Sequence, residues 1–140
     1  LVARVHEMVP RKEIDRRYRQ INDVEKYLAE NGVAILKFFL HISREEQKER
    51  LESRLARPDK HWKFSASDLA ERKRWDAYRR AYRKVLNECS TPWAPWHVIP
   101  ANRKWYRNVA IANAVLETLD RMDLRYPEPE PGLDRIVVDG

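Results

Sequence analysis

The run VAILKFFLHI, residues 33–42, decides the fold of this 140-residue chain. Its apolar residues are continuous rather than alternating, and it is rich in β-branched and aromatic side chains. Such a run predicts a strand buried on both faces, which is typical of a parallel sheet covered by helices. Ser43 and Glu46 follow with the three-residue spacing of a capping box, so we expect the strand to lead into a helix over residues 44–56.

A helix is also predicted before this strand. Pro10 suits the first turn of a helix, where a missing N–H costs nothing, and Asn31-Gly32 suits its end. Between these two points one apolar stripe recurs at helical spacing, formed by Ile14, Tyr18, Ile21, Val24 and Leu28.

The middle of the chain predicts two helices around a basic loop. Arg57-Pro58-Asp59 breaks the first helix, and residues 60–63 form the loop. A long second helix is predicted from Ser65 or Ser67 to about Asn87.

The last third of the chain predicts a strand, a helix and a tail. Trp96–Ile99 is the second short strand, and residues 123–140 contain three prolines typical of an extended tail that packs on a neighbour. A final helix over residues 105–122 presents an inner face of Val109, Ala112, Val115, Leu116 and Leu119.

This order of elements indicates an α/β fold. Two strands alone make a poor sheet, so we expect most of the sheet to lie in an N-terminal half that precedes Leu1. Residues 1–140 would then be one partial domain. It would consist of helices and a loop over about 43–87, a strand and helix over about 95–122 and a tail over 123–140.

The charge of the chain favours polyanionic partners. Lys and Arg outnumber Asp and Glu by 28 to 22, which gives a net charge of +6 and an isoelectric point of about 9.6. The alternative is an ordinary solvated surface, since acidic residues are interleaved with the basic ones.

No apolar run is long enough to span a membrane. The single cysteine, Cys89, excludes an internal disulfide and indicates a cytoplasmic protein.

The basic residues that follow the first strand suggest a cover over phosphates. Arg50 and Arg54 lie one helical turn apart, so both guanidinium groups could fork onto phosphate oxygens. Lys60 and Lys63 lie in a loop whose closure could bring them onto the same ligand. The chain has only three glycines, so it cannot build a glycine-rich phosphate cradle of its own. The alternative is that these four side chains are solvated surface charges, some paired with glutamates of the same helix.

The other candidate residues have mainly structural interpretations. Trp62 is predicted to pack under the loop, with stacking on a base as the alternative. Asp68 is predicted to cap or brace the long helix, with metal binding as the alternative. We expect His41 to be a hydrogen-bonded core residue and Cys89 to be a small buried one. Because no metal-ligand spacing and no nucleophile–base pair occur, the sequence predicts no metal site and no catalytic residue in this chain.

The chain contains three long blocks, ILKFFLHISREEQKERLESRL (35–55), DKHWKFSASDLAERKRWDAY (59–78) and STPWAPWHVIPANRKWYRN (90–108). Together they resemble the C-terminal half of the polyphosphate kinase 2 family, and the resemblance extends from about Arg4 to Asp139. Members of this family are Mg-dependent phosphotransferases that pass phosphoryl groups between inorganic polyphosphate and nucleotides.

The resemblance implies a P-loop kinase-like, three-layer fold similar to thymidylate kinase, with a helical lid over the phosphates. It also implies a Walker A loop (G-x-D-x-x-G-K) and a Walker B segment with Asp-Arg. Neither the Walker A loop nor the Walker B segment occurs in this chain. Both segments, and with them most of the ligands of Mg²⁺, are therefore expected upstream of Leu1. Asn102 stands where many relatives would have Asp, which leaves the role of its loop near the nucleotide open. The residues that match the family's lid pattern are Arg50, Arg54, Lys60, Trp62, Lys63, Asp68, Trp75, Asp76 and Tyr78.

The function expected from this resemblance is phosphoryl transfer between polyphosphate and AMP, ADP or another nucleoside diphosphate. The whole protein would be a cytoplasmic homo-oligomer, a dimer or a tetramer, and this chain would supply its lid half and be inactive alone. One alternative is a basic helical module that binds nucleic acid, although no recognisable motif for that is present. Another is an inactive fragment that acts by association with intact relatives.

Overall fold

Lys37–His41 and Trp96–Pro100 form two strands, β1 and β2. They pair in parallel, with Lys37 opposite Trp96 and His41 opposite Pro100, which confirms the predicted parallel α/β arrangement. The structure is a computed structural model and describes residues 1–138, with the exception of the side chain at position 134. Within these residues the helices are α1 (Val2–Val5), α2 (Arg11–Glu30), α3 (Arg44–Leu55), α4 (Ala66–Lys73), α5 (Trp75–Glu88) and α6 (Lys104–Met122), with 3₁₀ segments at Pro58–Lys63 and Leu133–Arg135.

The predicted helix ends agree with local chemistry. Pro10 immediately precedes α2, and Gly32 follows it with a φ of +82°, a left-handed conformation that favours glycine. At the start of α3, the Ser43 hydroxyl accepts the Glu46 N–H at 3.1 Å, which is one half of the predicted capping box. The other half is absent, because the Ser43 N–H donates to the side-chain oxygen of Asn102 at 3.0 Å. The Glu46 carboxylate pairs with Arg50 at 2.7 Å.

The first strand is shorter and less buried than predicted. Only residues 37–41 of the run 33–42 belong to β1, and Leu40 is 44% exposed. A strand is buried on both faces only where other elements cover both faces. Among residues 1–138, β1 and β2 form a two-stranded sheet that leaves Leu40 and Val98 open.

The long helix predicted from residue 65 or 67 to 87 is wrong, because α4 and α5 are separate helices that meet at Arg74. Arg74 has φ −89° and ψ 15°, and its N–H donates to the carbonyl of Glu71, three residues back rather than four. This tightened turn ends α4. Since neither glycine nor proline marks the position, apolar periodicity could not predict the break.

The buried core joins α2 to the end of α5. Ile14, Tyr18 and Cys89 form it, with Val85 and Trp96 packed against them. Cys89 is buried, as predicted, and burial raises the pKa of its thiol. Many of the other apolar side chains that were predicted to face inwards are not covered by any of the described residues. More than a third of the side-chain surface is exposed for Ile21, Val24 and Leu28 on α2 and for Val109, Leu116 and Leu119 on α6.

The C-terminal tail leaves large apolar side chains exposed, and its packing on a neighbour stays a prediction. Tyr126 is 99% exposed and Val138 is 90% exposed, so these side chains touch almost nothing among the described residues. The part of the predicted tail at positions 139–140 lies outside the described residues. Across residues 1–138, no helix combines the length and the apolar character needed to cross a membrane.

Candidate functional site

A cleft lies at the carboxyl end of β1, where the chain passes from His41 into α3. It has a volume of about 460 Å³, and residues of α3, α4 and α5 line the rest of it. The carboxyl ends of parallel strands are the usual ligand-binding edge of an α/β sheet. The charged lining of the cleft is mainly basic and consists of Arg50, Arg54, Arg72, Arg79, Asp68 and Glu71.

Two arginines of α3 line the cleft, but their guanidinium groups differ in their contacts. Arg50 donates to the Glu46 carboxylate at 2.7 Å and to the carbonyl oxygen of Ala101 at 2.6 Å, so it ties α3 to the end of β2. Arg54 is half-buried, and its guanidinium has no hydrogen bond or ion pair to any residue of the described range. The predicted pairing with a glutamate therefore holds for Arg50, and Arg54 is the group available to a ligand.

The basic loop lies outside the cleft. Lys60, Trp62 and Lys63 belong to the 3₁₀ segment Pro58–Lys63, and none of them lines the cavity. Trp62 is 79% exposed, so the prediction that it packs under the loop is wrong. The Lys63 ammonium lies 4.6 Å from the centroid of the indole instead, and this cation–π contact covers one face of the ring. Phosphate binding by the two lysines stays a prediction.

Asp68 caps α4, as predicted. Its carboxylate accepts the backbone N–H of Ser65 at 3.2 Å, and the Ser65 hydroxyl accepts an N–H from the first turn of the helix. This reciprocal pattern is a capping box. Because Asp68 also lines the cleft, the start of α4 is fixed at the edge of the site.

Glu71 connects three elements at the wall of the cleft. Its carboxylate accepts the hydroxyl proton of Tyr78 on α5 and lies 3.0 Å from Nε2 of His6, which follows α1. The hydrogen bond from Tyr78, and next the one from His6, lower the pKa of the Glu71 carboxyl. The same hydrogen bond raises the pKa of the Tyr78 phenol. The pair therefore favours an ionised glutamate and a neutral tyrosine.

We expect Glu71→Gln to return the pKa of Tyr78 towards its ordinary value of 10.0, as followed by NMR of labelled tyrosine. The charged acceptor that opposes phenol ionisation would then be gone. In the wild type, the lowered Glu71 pKa adds stability above pH 4.5, and this is lost as the pH falls. The raised Tyr78 pKa adds stability below pH 10.0, and this is lost as the pH rises. An unchanged Tyr78 pKa in Glu71→Gln, with Glu52→Gln as the exposed control, would contradict this account.

Arg72 is a cleft residue that sequence reasoning missed. It donates to the carbonyl oxygen of Arg44 and to the side-chain oxygen of Gln47, both at 2.8 Å, and so holds α4 against the start of α3. One signal could have found it. Arg72 lies four residues after Asp68, so the two share one face of α4. Arg79 on α5 was also missed, because the apolar periodicity of this helix does not indicate which of its basic residues lines the cleft.

A second opening of about 460 Å³ lies beside the loop that follows β2, next to His41, Asn102 and Trp105. The Asn102 side-chain oxygen accepts the N–H of Ser43 at 3.0 Å and so links the carboxyl ends of the two strands. An aspartate would offer the same acceptor, so asparagine retains this contact. His41 is exposed here rather than in the core, because the strand it ends lacks cover on that side.

The described residues do not fit a metal ion. The side chains that the structure describes contain no group of three or more His, Cys, Asp or Glu that could hold one. In the cleft, Asp68 is engaged in capping α4 and Glu71 is engaged by Tyr78 and His6.

Comparison with known proteins places the chain in a family. The sequence model of the family described as Polyphosphate kinase 2 (PPK2) matches residues 1–127. The chain is 48% identical to an AMP/ADP-polyphosphate phosphotransferase of Meiothermus ruber over 99% of its own length and 52% of the relative's. It is 41% identical to an ADP-polyphosphate phosphotransferase of Rhodopseudomonas palustris, covering 94% of this chain and 50% of that one.

A solved structure agrees. The crystal structure of polyphosphate kinase 2 from Arthrobacter aurescens TC1 superposes with a TM-score of 0.92 at 45% identity, over 96% of this chain and 48% of that one. The chain thus spans about half the length of these relatives and shares their P-loop kinase-like fold. It belongs to the polyphosphate kinase 2 family.

Proposed function

We propose that this chain is part of an enzyme that moves phosphoryl groups between inorganic polyphosphate and a nucleotide, AMP or ADP. The relatives that it resembles carry these substrates in their names. The observation that carries the proposal is the basic cleft at the carboxyl end of β1, with the half-buried Arg54 guanidinium lacking an acid among residues 1–138. Such a group matches phosphate oxygens in geometry and charge.

The role of this chain in the reaction would be positioning and charge stabilisation. Phosphoryl transfer asks little covalent chemistry of a protein but requires positive groups around the moving phosphoryl group. Arg54 would bind phosphate oxygens directly. Arg50 and Arg72 would hold the walls of the cleft in place, because their contacts are internal ones. Lys60 and Lys63 would reach the ligand if the 3₁₀ segment moved over the cleft as a lid.

We further propose that Mg²⁺ is the cofactor and that its ligands lie outside the described residues. A cytoplasmic homo-oligomer, a dimer or a tetramer, is proposed as the working form. A lone buried cysteine suits a reducing compartment. Sedimentation of the intact gene product would test the oligomeric state.

The function is tested by ATP formation from polyphosphate and ADP, with AMP as a second acceptor, in the presence of Mg²⁺. The chain as given and a version extended upstream should be compared. We expect activity only in the extended version, because the Walker segments are absent from these residues. Robust activity from the 140 residues alone would contradict the proposal that catalysis requires the upstream Walker segments. Inactivity of both, with tight and steeply salt-dependent DNA binding, would favour the nucleic-acid alternative.

A further inference from the structure

A second basic cavity lies where α1, α2 and α5 meet. It has a volume of about 670 Å³, larger than that of the cleft. Its charged lining consists of three arginines, Arg4, Arg11 and Arg80, and a single carboxylate, Glu7. The lining therefore carries a net positive charge in a concave site, which is the arrangement that concentrates anions.

None of the acidic side chains that the structure describes pairs with these three guanidinium groups. Arg4 is half-buried, and its side chain donates to the Tyr18 hydroxyl, a neutral group, at 3.2 Å. The nearby acids Glu13 and Asp15 pair with Arg17 and Lys84 instead. Like charges gathered in one cavity repel one another unless an anion lies between them.

The backbone supports the shape of this cavity. The chain turns from α1 towards α2 through Glu7, whose φ of +51° lies in the left-handed region that a non-glycine residue seldom adopts. Glu7 and the residues that follow it line the cavity, together with the buried apolar side chains of Val5 and Ile14. Buried apolar side chains in the lining lower the local dielectric, which strengthens the attraction between the arginines and an anion.

The lining also indicates the chemical class of the ligand. Guanidinium forks match phosphate oxygens. No aromatic ring lines the cavity, so the described residues offer no platform for stacking a base. Ala77 and Arg80 of α5 face this cavity, whereas Tyr78 and Arg79 of the same helix face the cleft, so one helix separates two basic sites. We propose that this cavity binds inorganic oligophosphate through Arg4, Arg11 and Arg80.

Calorimetric titration of the intact gene product with tripolyphosphate tests the proposal. We expect Arg80→Gln to weaken one class of tripolyphosphate sites about tenfold or more, because a hydrogen bond from a charged group is lost. Arg121→Gln is the matched control, since it removes the same charge from α6 and lines neither cavity. The melting temperature of the ligand-free protein should not fall in Arg80→Gln, because the described residues give its guanidinium no partner to lose and its removal relieves repulsion from Arg4 and Arg11.

The outcomes are distinct. Equal binding by Arg80→Gln and Arg121→Gln would overturn the inference. Weaker binding of tripolyphosphate by Arg80→Gln alone supports an independent oligophosphate site. A loss confined to long-chain polyphosphate, with tripolyphosphate binding unchanged, would also overturn an independent oligophosphate site and would make this cavity an extension of the cleft. Because binding requires no turnover, a protein without phosphotransferase activity would refute the proposed function and leave this inference open to the same titration.

Discussion

Replacing Lys37 by methionine is expected to lower the free energy of unfolding by about 3 kcal/mol, because it leaves a carboxylate nearly buried without its partner. The Lys37 ammonium lies 2.6 Å from the Glu25 carboxylate and 2.6 Å from the carbonyl oxygen of Cys89. It also lies 5.4 Å from the centroid of the Trp96 ring. One side chain thus joins α2, β1, β2 and the end of α5. Equilibrium unfolding in urea measures the loss.

Two further variants separate a buried pair from a surface pair. Lys48 and Glu52 are also an ion pair but are both mostly exposed, so Lys48→Met should cost about 0.5 kcal/mol or less. The double variant Glu25→Leu/Lys37→Met removes both charges and should recover much of the stability lost in the single one. If Lys37→Met destabilised the protein no more than Lys48→Met, the buried pair would not be an important contact.

Local sequence patterns predicted those features of the fold that depend on a few neighbouring residues. The Ser43 cap, the end of α2 at Gly32 and the cap at Asp68 all follow from short-range hydrogen bonding or backbone preference. The parallel pairing of β1 with β2 followed from the continuous apolar run. The spacing of Arg50 and Arg54 likewise predicted that both would lie on one face of α3, and both line the cleft.

Contacts between residues far apart in the chain could not be predicted in this way. His6 and Glu71 are separated by 65 positions, and Arg72 reaches Gln47 across 25. No spacing rule connects such pairs, since their meeting depends on where whole helices pack. Spacing also could not tell Arg50, which is held by Ala101, from Arg54. The predicted burial of Trp62 was wrong, because the large apolar area of a tryptophan favours burial but does not ensure it, and this side chain is 79% exposed.

Arg54→Gln is expected to lower kcat/KM for polyphosphate by about a hundredfold in the intact gene product, because a donor aimed at developing phosphate charge is lost. The prediction depends on the proposed function. It follows from the position of Arg54 in the cleft and from the lack of any acid bound to it within residues 1–138. For the same reason its stability should change little. Steady-state rates and urea unfolding of the same preparations provide the two measurements.

Arg50→Gln is the informative control, because Arg50 lies one turn earlier on the same helix face. It should destabilise the fold by about 1–2 kcal/mol, since its bonds to Glu46 and Ala101 would be lost. We therefore expect opposite results from the two variants. Arg54→Gln should lower kcat/KM and leave the free energy of unfolding nearly unchanged, whereas Arg50→Gln should lower the free energy of unfolding. A rate for Arg54→Gln close to that of the wild type would remove Arg54 from the phosphate site. Loss of stability in Arg54→Gln would show that its guanidinium has an internal partner and that its charge is not reserved for a ligand.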